Sequence, residues 1–115
     1  MIKHTVISKL KNGKVVYGFY LCNFKTIKYS KNDKKFIDIV LSDQTGVINA
    51  KLWDNVDLFS ERFSAGDYVA VKGKISTYYN KLYINIFSIK IAEKHIFSDY
   101  GFENFLKINT NKKIL

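Results

Sequence analysis

Proline is missing from this sequence altogether, and cysteine, methionine and tryptophan each occur once. A single thiol, Cys22, excludes an internal disulfide and fits a reducing compartment, so the expected location is cytoplasmic. No Pro/Gly/Ser tract marks a linker, and no segment is repeated or of low complexity. No apolar run approaches the ~18 residues that suggest a membrane helix. The opening "MIKHTVISKLKNGK" also lacks the apolar stretch of a secretory signal. Histidine is scarce: His4 and His95 are isolated, with no His/Asp/Glu cluster at metal-ligand spacing. Gly46 and Gly101 stand alone rather than in a phosphate-cradling loop, and Cys22 has no histidine nearby to activate it. These absences exclude a recognisable hydrolase centre. The chain is expected to be no enzyme by itself, with no metal and no cofactor.

What is present suits one domain. The 115 residues, 47% hydrophobic, are enough for a single modest core. The net charge is +9 and unevenly spread. Residues 1–35 hold nine lysines against one acid, residues 36–70 two bases against six acids, and residues 71–115 eight lysines against three acids. A chain so polarised can present a basic surface to a polyanion such as RNA or DNA. Abundant Lys, Asn, Ile, Tyr and Phe also fit an A+T-rich coding sequence; that accounts for the total charge better than for its clustering.

The periodicity is that of strands. Val15 to Lys28 is a β-rich run, ended by the polar turn "YSKNDKK" at 29–35. From Phe36 to Ser42, Ile37, Ile39 and Leu41 alternate with Phe36, Asp38, Val40 and Ser42. "DQTG" then predicts a tight turn, with Gly46 supplying a permissive backbone. The third strand, Val47 to Trp53, alternates Ile48, Ala50 and Leu52 with Asn49, Lys51 and Trp53. Asp54 or Asn55 is placed to cap a short helix with Val56, Phe59 and Phe63 at helical spacing, and Gly66 to turn the chain after it. A fourth strand, Tyr68 to Ser76, points Val69, Val71, Gly73 and Ile75 one way. "TYYNK" leads into a fifth, Leu82 to Ala92, with Leu82, Ile84 and Ile86 on one face. The segment after residue 95 reads as a tail or the start of a linker, with a helical turn around Phe102–Leu106.

Five strands with one short helix between the third and fourth is the order of an OB-fold, a five-stranded Greek-key barrel. Gly18 and Gly73 inside strands suit the tight bends of such a barrel. An SH3-like barrel, the alternative, does not normally place a helix before its fourth strand. The expected organisation is an OB-fold domain over residues 1–95 and a tail over 96–115.

The run "GFYLCNFKTIKYSKNDKKFIDIVLSDQTGVINAKLWD", followed by "FSAGDYVAVKGKISTYYNKLYINI", resembles the N-terminal OB domain of YhaM-type 3′→5′ exoribonucleases. The resemblance spans about residues 15–92, and "LSDQTGVINAKLWD" is its most specific part. Similar "L.D.TG" patterns occur across OB domains, including anticodon-binding ones. In the YhaM-type family the OB module precedes a catalytic HD-type phosphohydrolase domain. The resemblance therefore implies a substrate-holding module for single-stranded RNA, either one piece of a longer protein or a stand-alone relative.

An OB barrel binds single strands across its second and third strands, between the first–second and fourth–fifth strand loops. With Ile37, Ile39, Leu41, Ile48, Ala50 and Leu52 inside, the outer face carries Phe36, Asp38, Asn49, Lys51 and Trp53. An exposed ring stacks on a base, an ammonium meets phosphate and an amide reads a base edge. Trp53 stands at a strand end, where packing on the helix or barrel rim is the competing role; for Phe36 it is a contact with the first loop. The first loop adds Lys28, Lys31, Lys34 and Lys35 beside Tyr29, and the second adds Tyr78, Tyr79, Lys81 and Tyr83. Lysines in loops are often merely solvated, but two basic–aromatic loops flanking one face favour a sequence-tolerant binder of single-stranded RNA or DNA. The acidic segment 54–67 is expected away from this cleft. The competing class is an OB module for protein interaction or oligomerisation, which needs neither a phosphate-dependent salt response nor an aromatic platform.

Overall fold

The computed structural model describes residues 5–92; the expected tail, His4 and His95 lie outside the described residues. Five strands, β1 (Val15–Tyr29), β2 (Lys35–Asp43), β3 (Gly46–Leu52), β4 (Tyr68–Tyr78) and β5 (Lys81–Ile91), close into a barrel in the order β1-β2-β3-β5-β4. Among the described residues the one α-helix, α1 (Val56–Ser60), stands between β3 and β4, so the architecture is that of an OB-fold. All neighbours are antiparallel except β3 and β5, which run parallel and pair only over Asn49–Lys51 and Tyr83–Asn85. The long β1 serves two sides of the barrel: its first half pairs with β4 and its second with β2, with an irregularity between Cys22 and Phe24.

The alternation read from the sequence corresponds to the core. Ile37, Ile39, Leu41, Ile48, Ala50 and Leu52 are buried, joined by Val69, Val71, Ile75 and Ile84. A 3₁₀ turn at Ile7–Lys9, with no clear sequence signal, closes one end by burying Ile7 and Leu10. The carboxylate of Asp43 holds this turn, accepting from Ile7 N at 2.8 Å. It also accepts from Thr45 N at 2.7 Å and Thr45 Oγ1 at 2.6 Å.

Several expectations are corrected. Asp43, not Gly46, shapes the β2–β3 turn through those side-chain bonds, and Gly46 is already the first residue of β3. The helix is only five residues long, and Asn55 precedes it in a left-handed conformation without capping through its side chain. Phe63 lies beyond the helix yet is buried, because Lys25 Nζ donates to the carbonyls of Ser60 and Phe63 and pins the chain after α1 against β1. Leu82 is exposed rather than buried: it lies in the hairpin one residue before Tyr83, the first β5 residue paired with β3. The inward parity of Ile84 and Ile86 passes to Ile89 across an irregularity opposite Lys72 and Gly73. Gly73 is required at that point, since a Cβ would come 2.6 Å from the Asn85 carbonyl oxygen. Gly18 makes room for a side chain, not a bend: a Cβ there would overlap the Tyr20 ring.

Candidate nucleic-acid interface

The outer face of β3 forms the floor of the candidate interface, and strand pairing decides what lies beside each of its residues. Lys51 pairs with Asp38 of β2 on one side and Asn85 of β5 on the other. Asn49 lies between Val40 and Tyr83 in the same way. Phe24, exposed on β1, continues the Val40–Asn49–Tyr83 row. Asn85 and Phe24 escape a reading of the sequence because their place depends on the parallel β3–β5 register and the β1 irregularity. The only sequence signal for either was polar or aromatic character on a strand.

At the end of this face Trp53 stacks on Phe36, with ring centroids 4.3 Å apart and planes 28° from parallel. Phe36 keeps its outward parity but is only 7% exposed, which corrects its expected role as an open platform. Trp53 covers it, and Trp53 itself is half-buried. Trp53 thus packs on Phe36 at the rim and also lines a pocket of about 250 Å³ with Lys51, Tyr78 and Tyr83.

That pocket is one part of a longer groove. A neighbouring depression shares Lys51, Tyr78 and Tyr83 and adds Asn49, Tyr79, Lys81 and Leu82. A further one carries the groove past Asn49 and Lys81 to Val47 and Ile7. The β4–β5 hairpin that walls the groove turns through two residues, Tyr79 (φ 49°) and Asn80 (φ 62°), both left-handed as a tight hairpin of this hand requires. Asparagine accepts that geometry readily, whereas a bulky ring there is uncommon. Tyr79 is nevertheless 84% exposed and meets Tyr78 edge-on, with centroids 4.4 Å apart.

The β1–β2 loop stands at the other end. Ser30 holds it, its hydroxyl oxygen accepting from Asn32 N and Lys34 N. Tyr29 is exposed at its base. Of the four lysines predicted here, Lys31 is exposed and the other three are told apart by their contacts. Lys28 pairs with Asp38 at 2.9 Å, and Lys35 with Asp57 at 2.5 Å. Asp57 belongs to α1, so the acidic segment is not wholly away from the cleft: it reaches the first loop, and its hydrogen bond raises the pKa of the Lys35 ammonium. Lys34 points at the groove, its Nζ 5.5 Å from the Trp53 ring centroid. Lys51 Nζ lies 5.1 Å from the Phe36 centroid and 5.8 Å from that of Tyr78. Among the described residues Lys34, Lys51 and Lys81 have no carboxylate partner.

The structure therefore brings Lys34, Asn49, Lys51, Trp53, Tyr78, Tyr79, Lys81 and Tyr83 onto one groove, with Phe36 buried under Trp53 and with Tyr29 and Lys35 at the base of the β1–β2 loop. Lys28 is turned to Asp38. Among the described residues no group of three or more His, Cys, Asp or Glu is placed to hold a metal.

The model of the anticodon-binding family described as "OB-fold nucleic acid binding domain" matches residues 23–92. A solution structure of the second OB-fold domain of replication protein A from Methanococcus maripaludis and a crystal structure of a domain of the same protein are similar. The solution structure is 26% identical, with a TM-score of 0.62, over 80% of this chain and 97% of that one. The crystal structure is 24% identical, with a TM-score of 0.67, over 80% and 98%. The asparaginyl-tRNA synthetase of Entamoeba histolytica shares the fold at 13% identity and a TM-score of 0.62, covering 87% of this chain and 25% of that one.

Proposed function

Because this chain belongs to the family of OB-fold nucleic acid binding domains, we propose that it holds single-stranded RNA along the β3 groove. One observation carries the reading: the β1–β2 loop and the β4–β5 hairpin, distant in sequence, bring Lys34 and Lys81, without a carboxylate partner among the described residues, and the exposed rings of Tyr78 and Tyr79 to one groove. Lys34 and Lys81 are placed for phosphates, while Trp53, Tyr78 and Tyr79 offer ring faces to bases. Stacking tolerates any base, so binding is sequence-tolerant over most of its length. The resemblance to YhaM-type exoribonucleases adds a role. The module presents substrate to an HD-type catalytic domain carried elsewhere in a longer protein and cuts nothing itself.

Fluorescence anisotropy with labelled single-stranded RNA, single-stranded DNA and duplex RNA at several salt concentrations tests this reading. Single-stranded RNA should bind tightest, and log affinity should fall with log salt by about 0.7 for each phosphate neutralised. Equal affinity for DNA would remove the RNA preference. Absence of single-strand binding at low salt would leave the groove to a protein partner.

A further inference from the structure

The pocket bounded by Trp53, Tyr78 and Tyr83 is lined by one cation, Lys51, which it shares with the neighbouring depression. Its volume, about 250 Å³, is below the ~300–1,000 Å³ of sites for drug-sized ligands. It suits one planar heterocycle better than a whole nucleotide. Three of its four lining residues are aromatic, and the fourth is Lys51.

Lys51 is poorly placed to meet a phosphate. It is half-buried on the strand, with its ammonium between the ring of the buried Phe36 and that of Tyr78. The carboxylate across the strand from it, Asp38, is engaged by Lys28. Lys34, by contrast, is exposed at the rim over Trp53, and Lys81 is exposed on the hairpin. If the backbone of a bound strand follows those rim lysines, a base turned into the pocket leads with the edge remote from its sugar. An ammonium has three donors and no acceptor. At that edge uracil and thymine present O4 and guanine presents O6, all acceptors; cytosine and adenine present amino donors instead.

We infer that the Trp53–Tyr78–Tyr83 pocket is a single-base subsite in which Lys51 selects keto bases (uracil or thymine, and guanine) over amino bases. The inference rests on the single-strand reading above and assigns the preference to one side chain. Lys51 is then a specificity residue, and the rim lysines supply most of the salt dependence.

Uridine and cytidine hexamers make a matched pair, because the two bases differ in the group at this edge. Affinities would be read by anisotropy and by quenching of Trp53, the sole tryptophan. The wild-type chain should prefer uridine by roughly fivefold or more, given the discrimination such contacts supply. Lys51→Met, which keeps the apolar stem, should abolish the preference, and Lys51→Arg, another pure donor, should retain it. Equal wild-type affinity for the two hexamers would overturn the inference even if Lys51→Met failed to fold. So would a Lys51→Met variant that weakens both hexamers equally and flattens the salt response by about 0.7, since Lys51 would then be a phosphate contact. Failure to bind either hexamer at low salt would overturn the parent reading and this one with it.

Discussion

Trp53 lies on Phe36 with ring centroids 4.3 Å apart, so one aromatic residue shields another while itself lining the groove. Two measurements separate these roles. Trp53→Ala should weaken single-strand binding by about 1–3 kcal/mol, as loss of a base-stacking ring does, with little change in the salt response because stacking releases no counterions. It should also lower the melting temperature modestly, since a stacked pair contributes about 0.5–1.5 kcal/mol beyond its buried area. A lower melting temperature with unchanged binding would assign Trp53 to the rim alone.

The lysines should divide as their partners do. Lys34→Ala and Lys81→Ala should each flatten the plot of log affinity against log salt by about 0.7. Lys35→Ala should do less, because Asp57 already occupies its ammonium. Asp57→Asn should tighten binding at low salt by freeing Lys35. Its effect on stability should be small, since exposed ion pairs contribute about 0–1 kcal/mol. Identical salt responses for all the lysine variants would show that the pairing is irrelevant to binding.

Tyr79 separates binding from folding most cleanly. Its ring is 84% exposed, and its φ of 49° suits glycine better than a bulky side chain. Tyr79→Gly should leave the melting temperature unchanged or raise it while weakening single-strand binding several-fold, within the range lost with one stacking ring. Full affinity in this variant would show that the exposed ring is not used.

A fourth expectation concerns alkaline stability. Burial, with a smaller contribution from the Asp43 carboxylate, holds the Tyr20 hydroxyl well above its ordinary pKa of 10.0, and the hydroxyl donates to Thr5 O at 2.6 Å. The folded chain therefore retains this proton where the unfolded chain loses it. The stabilisation is complete below pH 10.0 and declines as pH rises further. Thermal melts should show that decline, and Tyr20→Phe should make it shallower while costing about 1 kcal/mol at neutral pH for the lost hydrogen bond. A decline of equal steepness in Tyr20→Phe would place its origin in other groups.

Local periodicity determined more of this protein than its low glycine and absent proline suggest. An apolar residue at every second position of a strand leaves its partners outward, so Ile37 to Leu41 and Ile48 to Leu52 were legible as core, and Asn49, Lys51 and Trp53 as the opposite face. The order of elements was legible too, because turns and the helix announce themselves within a few residues. What periodicity cannot carry is pairing between distant segments. Phe36 has the outward parity its position implies, but its burial depends on the β2–β3 register that sets Trp53 over it. Tyr83 and Asn85 come beside Asn49 and Lys51 only because β5 closes the barrel parallel to β3. Asp57 reaches Lys35 from a helix 22 residues along the chain, a contact no local pattern encodes. The sequence by itself decided which side chains face outward. Closure of the barrel decided which of them meet, because the register of its strands is set by the packing of the whole core.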